Sequence, residues 1–174
     1  MDFVIDLPAG PSSNNVILVI VGRLTKMAHF AACKTTITTE KTAKLFLTNI
    51  MRLHGILLAI ISDRDPRFTS NFWTKTWQQY GTLLHLSTVY HPQLDGQTER
   101  TNQTMEQLIC MTCTNPALRE DAFPLIEFAY NNAPSAMTTQ SLFFLNYGID
   151  PTTRLSLPIE NLAPRSQQYQ TKSV

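Results

Sequence analysis

The spacing of apolar residues changes character along the chain. Over the first 33 residues, apolar positions come in short runs separated by turn residues. Phe3 to Leu7 is one such run, closed by the turn-forming stretch Pro8 to Asn15. Val16 to Val21 reads V-I-L-V-I-V. A run with no polar residue and this much β-branching predicts a strand buried on both faces. Gly22 to Lys26 makes a connection, and Met27 to Cys33 predicts a third strand. Three strands with short links predict an antiparallel meander.

A period of 3.6 then takes over. Ala43, Phe46, Leu47, Ile50 and Leu53 follow helical spacing after a cap at Thr38 or Thr39, and His54-Gly55 ends that helix. Leu57 to Ser62 predicts a short strand, and Asp63 to Arg67 a turn. Ser70 caps a predicted helix running to Tyr80, with Phe72 and Trp73 turned inward and Gly81 as its stop. Thr82 to Ser87 is the fifth strand, and Tyr90 to Gly96 a loop with the Pro and Gly of a mobile active-site segment. A long helix is predicted from about Gly96, broken near Pro116, followed by shorter helices at Asp121 to Asn131 and Thr139 to Tyr147. The order βββ-α-β-α-β-α predicts an α/β fold, a five-stranded mixed sheet (antiparallel meander plus parallel strands) flanked by helices. Residues 1–151 form the expected core domain. From Asp150 the chain is polar and Pro-punctuated, and 152–174 is expected to be a flexible tail.

Composition narrows the possibilities. The 174 residues are 43 % hydrophobic, which suits one domain with a real core and excludes a disordered chain. No apolar run approaches the length of a membrane span, so no membrane partner is expected. The opening Met-Asp-Phe has no basic stretch of the secretory kind. A net charge of +1 leaves room for nucleic-acid binding only where basic residues cluster. Cys110 and Cys113 form a C-x-x-C without a second ligand pair, which reads as two small half-buried residues in a reducing compartment.

Three acidic residues stand out by position: Asp2 in the first strand, Asp63 where the fourth strand ends, and Glu99 in the first turns of the long helix. Strand ends beside helix starts are where sites are built in such sheets. Carboxylates that converge repel one another and require a cation, and a hard oxygen donor set favours Mg²⁺ or Mn²⁺. Each residue also has a plain structural reading: a terminal residue, a turn or cap residue, and a helix-start carboxylate that favours the helix dipole. Composition and periodicity do not join the three.

The stretches Leu24 to Phe30 (LTKMAHF), Ile61 to Ser70 (ISDRDPRFTS), Tyr90 to Arg100 (YHPQLDGQTER), Glu127 to Asn132 (EFAYNN) and Phe143 to Gly148 (FFLNYG) closely resemble, in order, the integrase catalytic core of gypsy-type LTR retrotransposons. The resemblance covers about residues 1–151 and implies an RNase H-like fold. It assigns the catalytic and metal-binding triad to Asp2, Asp63 and Glu99, with thirty-five residues between the last two, as in the family. It implies two Mg²⁺ ions, with Mn²⁺ able to substitute. The implied chemistry is 3′-end processing of DNA and strand transfer into target DNA, in line and without a protein nucleophile. Residues expected to meet DNA are Arg64, Arg67, His91, Gln97, Arg100, Asn102 and Gln103. His29 and His85, within strand patterns, are expected to be structural.

The implied partners are element-end and target DNA and further copies of the chain, and the implied setting is intracellular, with access to nuclear DNA. The family's first strand begins upstream of its Asp, so the chain is expected to be an N-terminally truncated piece without the zinc-binding domain. Four features depart from the family pattern: Gly22 stands where Asp is usual, Asp65 where Gly is usual, Arg119 to Pro124 lacks the usual Trp, and Pro116 breaks what should be continuing helix. If that Gly supplies a positive φ, Asp65 would have to adopt it. These departures support a second reading, a non-catalytic integrase-like fragment that binds DNA or a partner. A general RNase H-like nuclease is a third.

Overall fold

The computed structural model describes residues 1–4, 14–87, 103–104, 107, 119–135 and 138–152. Strands β1 (Asp2–Val4), β2 (Val16–Val21) and β3 (Ala28–Cys33) form the antiparallel meander in that order. Asp2 pairs with Val19, and Val21 with Ala28. Side chains alternate across a strand, and β2 shows why its sequence has no polar residue. Val16, Leu18 and Ile20 pack into one cluster with Phe46, Trp73 and Trp77. Ile17 and Val19 pack into a second with Phe123 and Ile126 on the opposite face.

Helix α1 starts at Thr39, where the Thr38 side chain accepts from the Lys41 amide. It runs as an α-helix to Phe46, as a π-helix over Leu47–Met51, and through Arg52–His54 to Gly55 at φ 74°. Thr48 Oγ1 and Asn49 Nδ2 each donate at 2.8 Å to the carbonyls of Lys44 and Leu45. Those side chains compete with backbone amides for the same acceptors, a local cause for the widened turn.

Strands β4 (Ala59–Ser62) and β5 (Leu83–Leu86) pair in parallel, joined by helices α2 (Pro66–Thr69) and α3 (Asn71–Gln79). Ser70 caps α3 by accepting from the Trp73 amide, and Gly81 at φ 72° follows its end. Trp73 and Trp77 are fully buried, whereas Phe72 is 45 % exposed. The inward placement expected for Phe72 is therefore incorrect. Neighbouring helical residues point about 100° apart, and the i, i+4 tryptophan pair sets the buried face.

The strands do not form the single five-stranded sheet expected. They form a three-stranded antiparallel sheet and a two-stranded parallel one. A hydrogen bond from the Met1 nitrogen to the Ile61 carbonyl at 2.8 Å links the two.

Helix α4 (Arg119–Asn132) covers the second face and also the outer edge of β3. Asn131 Oδ1 accepts from the Ala28 amide at 2.9 Å, and its Nδ2 donates to the Ala28 carbonyl at 2.8 Å. One turn earlier, Glu127 Oε2 accepts from the Phe30 amide at 2.9 Å. These side chains satisfy an edge that would otherwise present bare backbone groups. Helix α5 (Leu142–Tyr147) is capped by Ser141 and ends at Gly148 in the left-handed region. Among the described residues no helix is long and apolar enough to cross a membrane.

The two neighbouring aromatics of α3 separate by experiment. Trp73→Ala should cost about 3–5 kcal/mol, and Phe72→Ala less than about 1 kcal/mol. Urea denaturation of the two variants measures both.

Candidate active site

The fold brings together the two candidate carboxylates that lie within the described residues. Asp2 opens β1, and Asp63 directly follows β4. The Met1–Ile61 hydrogen bond sets these chain segments side by side. Both residues line a cavity of about 950 Å³, whose wall also includes Gly22 to Thr25, His29, His54 and Asn146. Asp2 Oδ1 accepts from the Phe3 amide at 2.7 Å, and Asp63 Oδ1 from the Asp65 amide at 3.2 Å.

Partial burial pushes the Asp63 carboxyl above its usual range, and the Asp2 and Asp65 carboxylates add to the push. The Asp65 amide and the N-terminal ammonium oppose it. A half-buried carboxylate beside a second one, on the wall of a cavity, is a donor set that fits a hard divalent cation. Among the described residues there is no group of three or more His, Cys, Asp or Glu placed to hold a metal. Glu99, the third member implied by the resemblance, lies outside the described residues.

The turn after Asp63 differs from expectation. Asp65 sits at φ −55° and ψ 136°, so this position makes no demand for a positive φ. Its side chain caps α2, accepting from the Arg67 amide at 2.9 Å. It also takes Nε and Nη2 of Arg67 at 2.7 and 2.6 Å. Hydrogen bonding to Arg67 holds the Asp65 carboxyl below its usual range despite partial burial. The Arg67 guanidinium carbon lies 3.6 Å from the centre of the Phe3 ring, and the side chain is only 16 % exposed. Arg67 was expected to meet DNA; here its guanidinium is committed to Asp65 and Phe3.

Arg64 is exposed immediately beside Asp63, and Gln103 is helical and exposed. His91, Gln97, Arg100 and Asn102 lie outside the described residues. So do the Tyr90 to Gly96 loop, the break at Pro116, Cys110, Cys113 and residues 153–174. Gly22 also has a local reason: a Cβ there would lie 3.3 Å from Thr25 Oγ1 and 3.4 Å from the Met27 carbonyl.

A histidine pair on the cavity wall did not emerge as a unit from the sequence. His29 Nδ1 lies 2.8 Å from Glu127 Oε1, and its Nε2 lies 2.8 Å from His54 Nε2. Glu127 accepts at Nδ1, which leaves His29 Nε2 to accept from His54. Burial, then the neighbouring His29, lowers the His54 pKa, and Glu127 opposes the shift. The available signal was the i, i+4 spacing of Glu127 and Asn131 on one helix face, while their partners lie about a hundred residues away. His85 is exposed on β5.

The raised Asp63 carboxyl gives a prediction with a definite sign. The folded chain holds this proton more tightly than the unfolded chain, so stability is lost as pH rises through the carboxylate range. In metal-free buffer at pH 7, Asp63→Asn should therefore be more stable than wild type, by about 2 °C in Tm. The gain should vanish once the pH drops below the ordinary aspartate range, where both states are protonated. Thermal melts at the two pH values test this.

No protein-family model matches the chain. Its sequence is 37 % identical over 179 residues to the Transposon Tf2-3 polyprotein of Schizosaccharomyces pombe, and equally to the Tf2-4 polyprotein. These matches cover 98 % of this chain, which spans 13 % of the length of those curated relatives. Among solved structures, a simian T-cell lymphotropic virus intasome in complex with PP2A regulatory subunit B56 gamma matches with a TM-score of 0.69. It has 16 % identity, over 90 % of this chain and 55 % of that one. The HTLV-2 integrase catalytic core domain in complex with magnesium matches with a TM-score of 0.65 and 18 % identity, over 82 % of this chain and 91 % of that one. The BIV integrase catalytic core domain matches with a TM-score of 0.63 and 17 % identity, over 83 % of this chain and 91 % of that one. At such identities the structural likeness shows the fold, the RNase H-like α/β fold of these cores. The chain is thus similar in sequence to a segment of retrotransposon polyproteins and similar in fold to retroviral integrase catalytic cores.

Proposed function

We propose that this chain is the catalytic core of a polynucleotidyl transferase that trims the 3′ ends of element DNA and joins them to target DNA. The observation that carries this reading is the meeting of Asp2 and Asp63 at the β1–β4 junction, on a cavity wall, in a chain with the fold of integrase cores and similarity to retrotransposon polyproteins. Asp2, Asp63 and, by resemblance, Glu99 would hold the divalent ions. Bound Mg²⁺ or Mn²⁺ would supply Lewis-acid polarisation at the reacting phosphate and ease deprotonation of the attacking hydroxyl.

The chain's own residues do the placing. Strands β1 and β4 fix the two carboxylates from separate elements. The Asp65 amide orients Asp63 by donating to its Oδ1. Exposed Arg64, next in sequence, is placed to meet a DNA phosphate, a contact that positions the duplex without reading its sequence. Gln103, with His91, Gln97, Arg100 and Asn102, would extend that contact. One solved relative is an intasome and another a magnesium-bound core in a trimeric form. We extend this to propose that the parent polyprotein's integrase acts as a multimer on nuclear DNA.

The test is a strand-transfer assay with labelled DNA ends and Mn²⁺, run with the full chain in its polyprotein context. Wild type should join ends only with a divalent ion present. Asp2→Asn and Asp63→Asn should each lower the rate at least about 100-fold, the scale of losing one charge-stabilising group, while remaining folded. Joining that persists in either variant contradicts the proposal. A folded wild type that binds DNA but never joins it supports the non-catalytic reading instead.

A further inference from the structure

We infer that Phe3, Asp65 and Arg67 form a strap that fixes the Asp2 and Asp63 carboxylates relative to each other, making Arg67 a positioning residue for that pair. As a device for catalysis it rests on the reading above, that the pair holds a divalent cation.

Each link is a specific contact. Asp65 gives its backbone amide to Asp63 Oδ1 at 3.2 Å. The Asp65 carboxylate takes two guanidinium donors of Arg67, at 2.7 and 2.6 Å. The same guanidinium lies over the Phe3 ring at 3.6 Å. Phe3 adjoins Asp2 and gives its amide to Asp2 Oδ1 at 2.7 Å. A continuous path of contacts thus runs from one carboxylate to the other, beside the Met1–Ile61 bond between the same two segments.

The path is stiff at each step. A bidentate arginine–carboxylate pair fixes both planes at once, and a flat guanidinium stacks on a ring as an ammonium does not. Phe3 is itself held, stacked on Phe68 with ring centres 5.0 Å apart, and Phe68 contacts Trp73 in the core. Arg67 Nη1 is buried without a hydrogen-bond partner. A guanidinium serving only hydrogen bonding would not leave a donor dry, because an unmet buried donor is costly. Its placement instead suits the ring contact and the two bonds to Asp65. Arg67 and Asp65 are each 16 % exposed, so solvent screens the pair less than a surface ion pair.

The experiment uses the full chain and the variants Arg67→Lys and Asp65→Asn. Lysine keeps the charge but loses the fork and the flat stacking group. Asparagine keeps an acceptor for the α2 cap but weakens the ion pair. Two quantities are read: amide hydrogen exchange at Phe3 and Asp65, and Mn²⁺ affinity by electron paramagnetic resonance. The strap predicts faster exchange at both amides in Arg67→Lys, with unchanged exchange in β2. It also predicts Mn²⁺ binding weaker by about tenfold, the low end for an outer-shell partner. Asp65→Asn should move both readings the same way, and it stands alone if Arg67→Lys fails to fold. Exchange unchanged at either amide overturns the strap. So does Mn²⁺ affinity within about twofold of a wild type that binds the ion. A wild type that binds no Mn²⁺ overturns the metal reading, and faster exchange at both amides would then still support the strap as a mechanical link between β1 and the turn.

Discussion

Two carboxylates held side by side govern this structure. Asp2 opens β1 and Asp63 follows β4, strands of different sheets, and the burial of Asp63, with the Asp2 charge adding to it, opposes the packing that brings them together. The rest of the fold withstands that cost. Strand β2 is clamped between two apolar clusters, so β1, paired along it, cannot move without disturbing both. Strand β4 is carried by Ile60, which belongs to the same cluster as Phe3, Phe68 and Trp73. Stability spent to hold like charges together is the usual mark of a site built for something not yet bound.

Local pattern exposed much of the architecture. The apolar run of β2, the Thr38 and Ser70 caps, and the stops at Gly55 and Gly81 all act within a few residues, and each was legible. The pattern failed where choices are made over long distances. Phe72 is the exception, a misreading of local pattern: Trp73 has Trp77 at i+4 on the buried face, whereas Phe72 has Thr76 there. The docking of Glu127 and Asn131 on β3 spans 97 and 103 residues, and no local period encodes it.

The candidate site was legible in part, for a different reason. Asp2 and Asp63 had no property of their own that joined them; a resemblance did, and the fold then set both on one cavity wall. An arginine near an acidic motif suits a phosphate as readily as a carboxylate, and the pattern alone did not show that Asp65, two residues away, takes two of the Arg67 donors. Asp65 itself looked like an awkward replacement for glycine. Its φ of −55° removes the backbone objection, and its carboxylate is paired with Arg67 while still adding to the upward push on Asp63.

The central claim is that the Asp2 and Asp63 carboxylates converge to hold a divalent cation, and calorimetric titration with Mg²⁺ and Mn²⁺ tests it most directly. Wild type should take up the ion with measurable heat, and Asp63→Asn, folded and titrated identically, should show none. Equal binding by the two chains, or no binding by a folded wild type, would contradict the account.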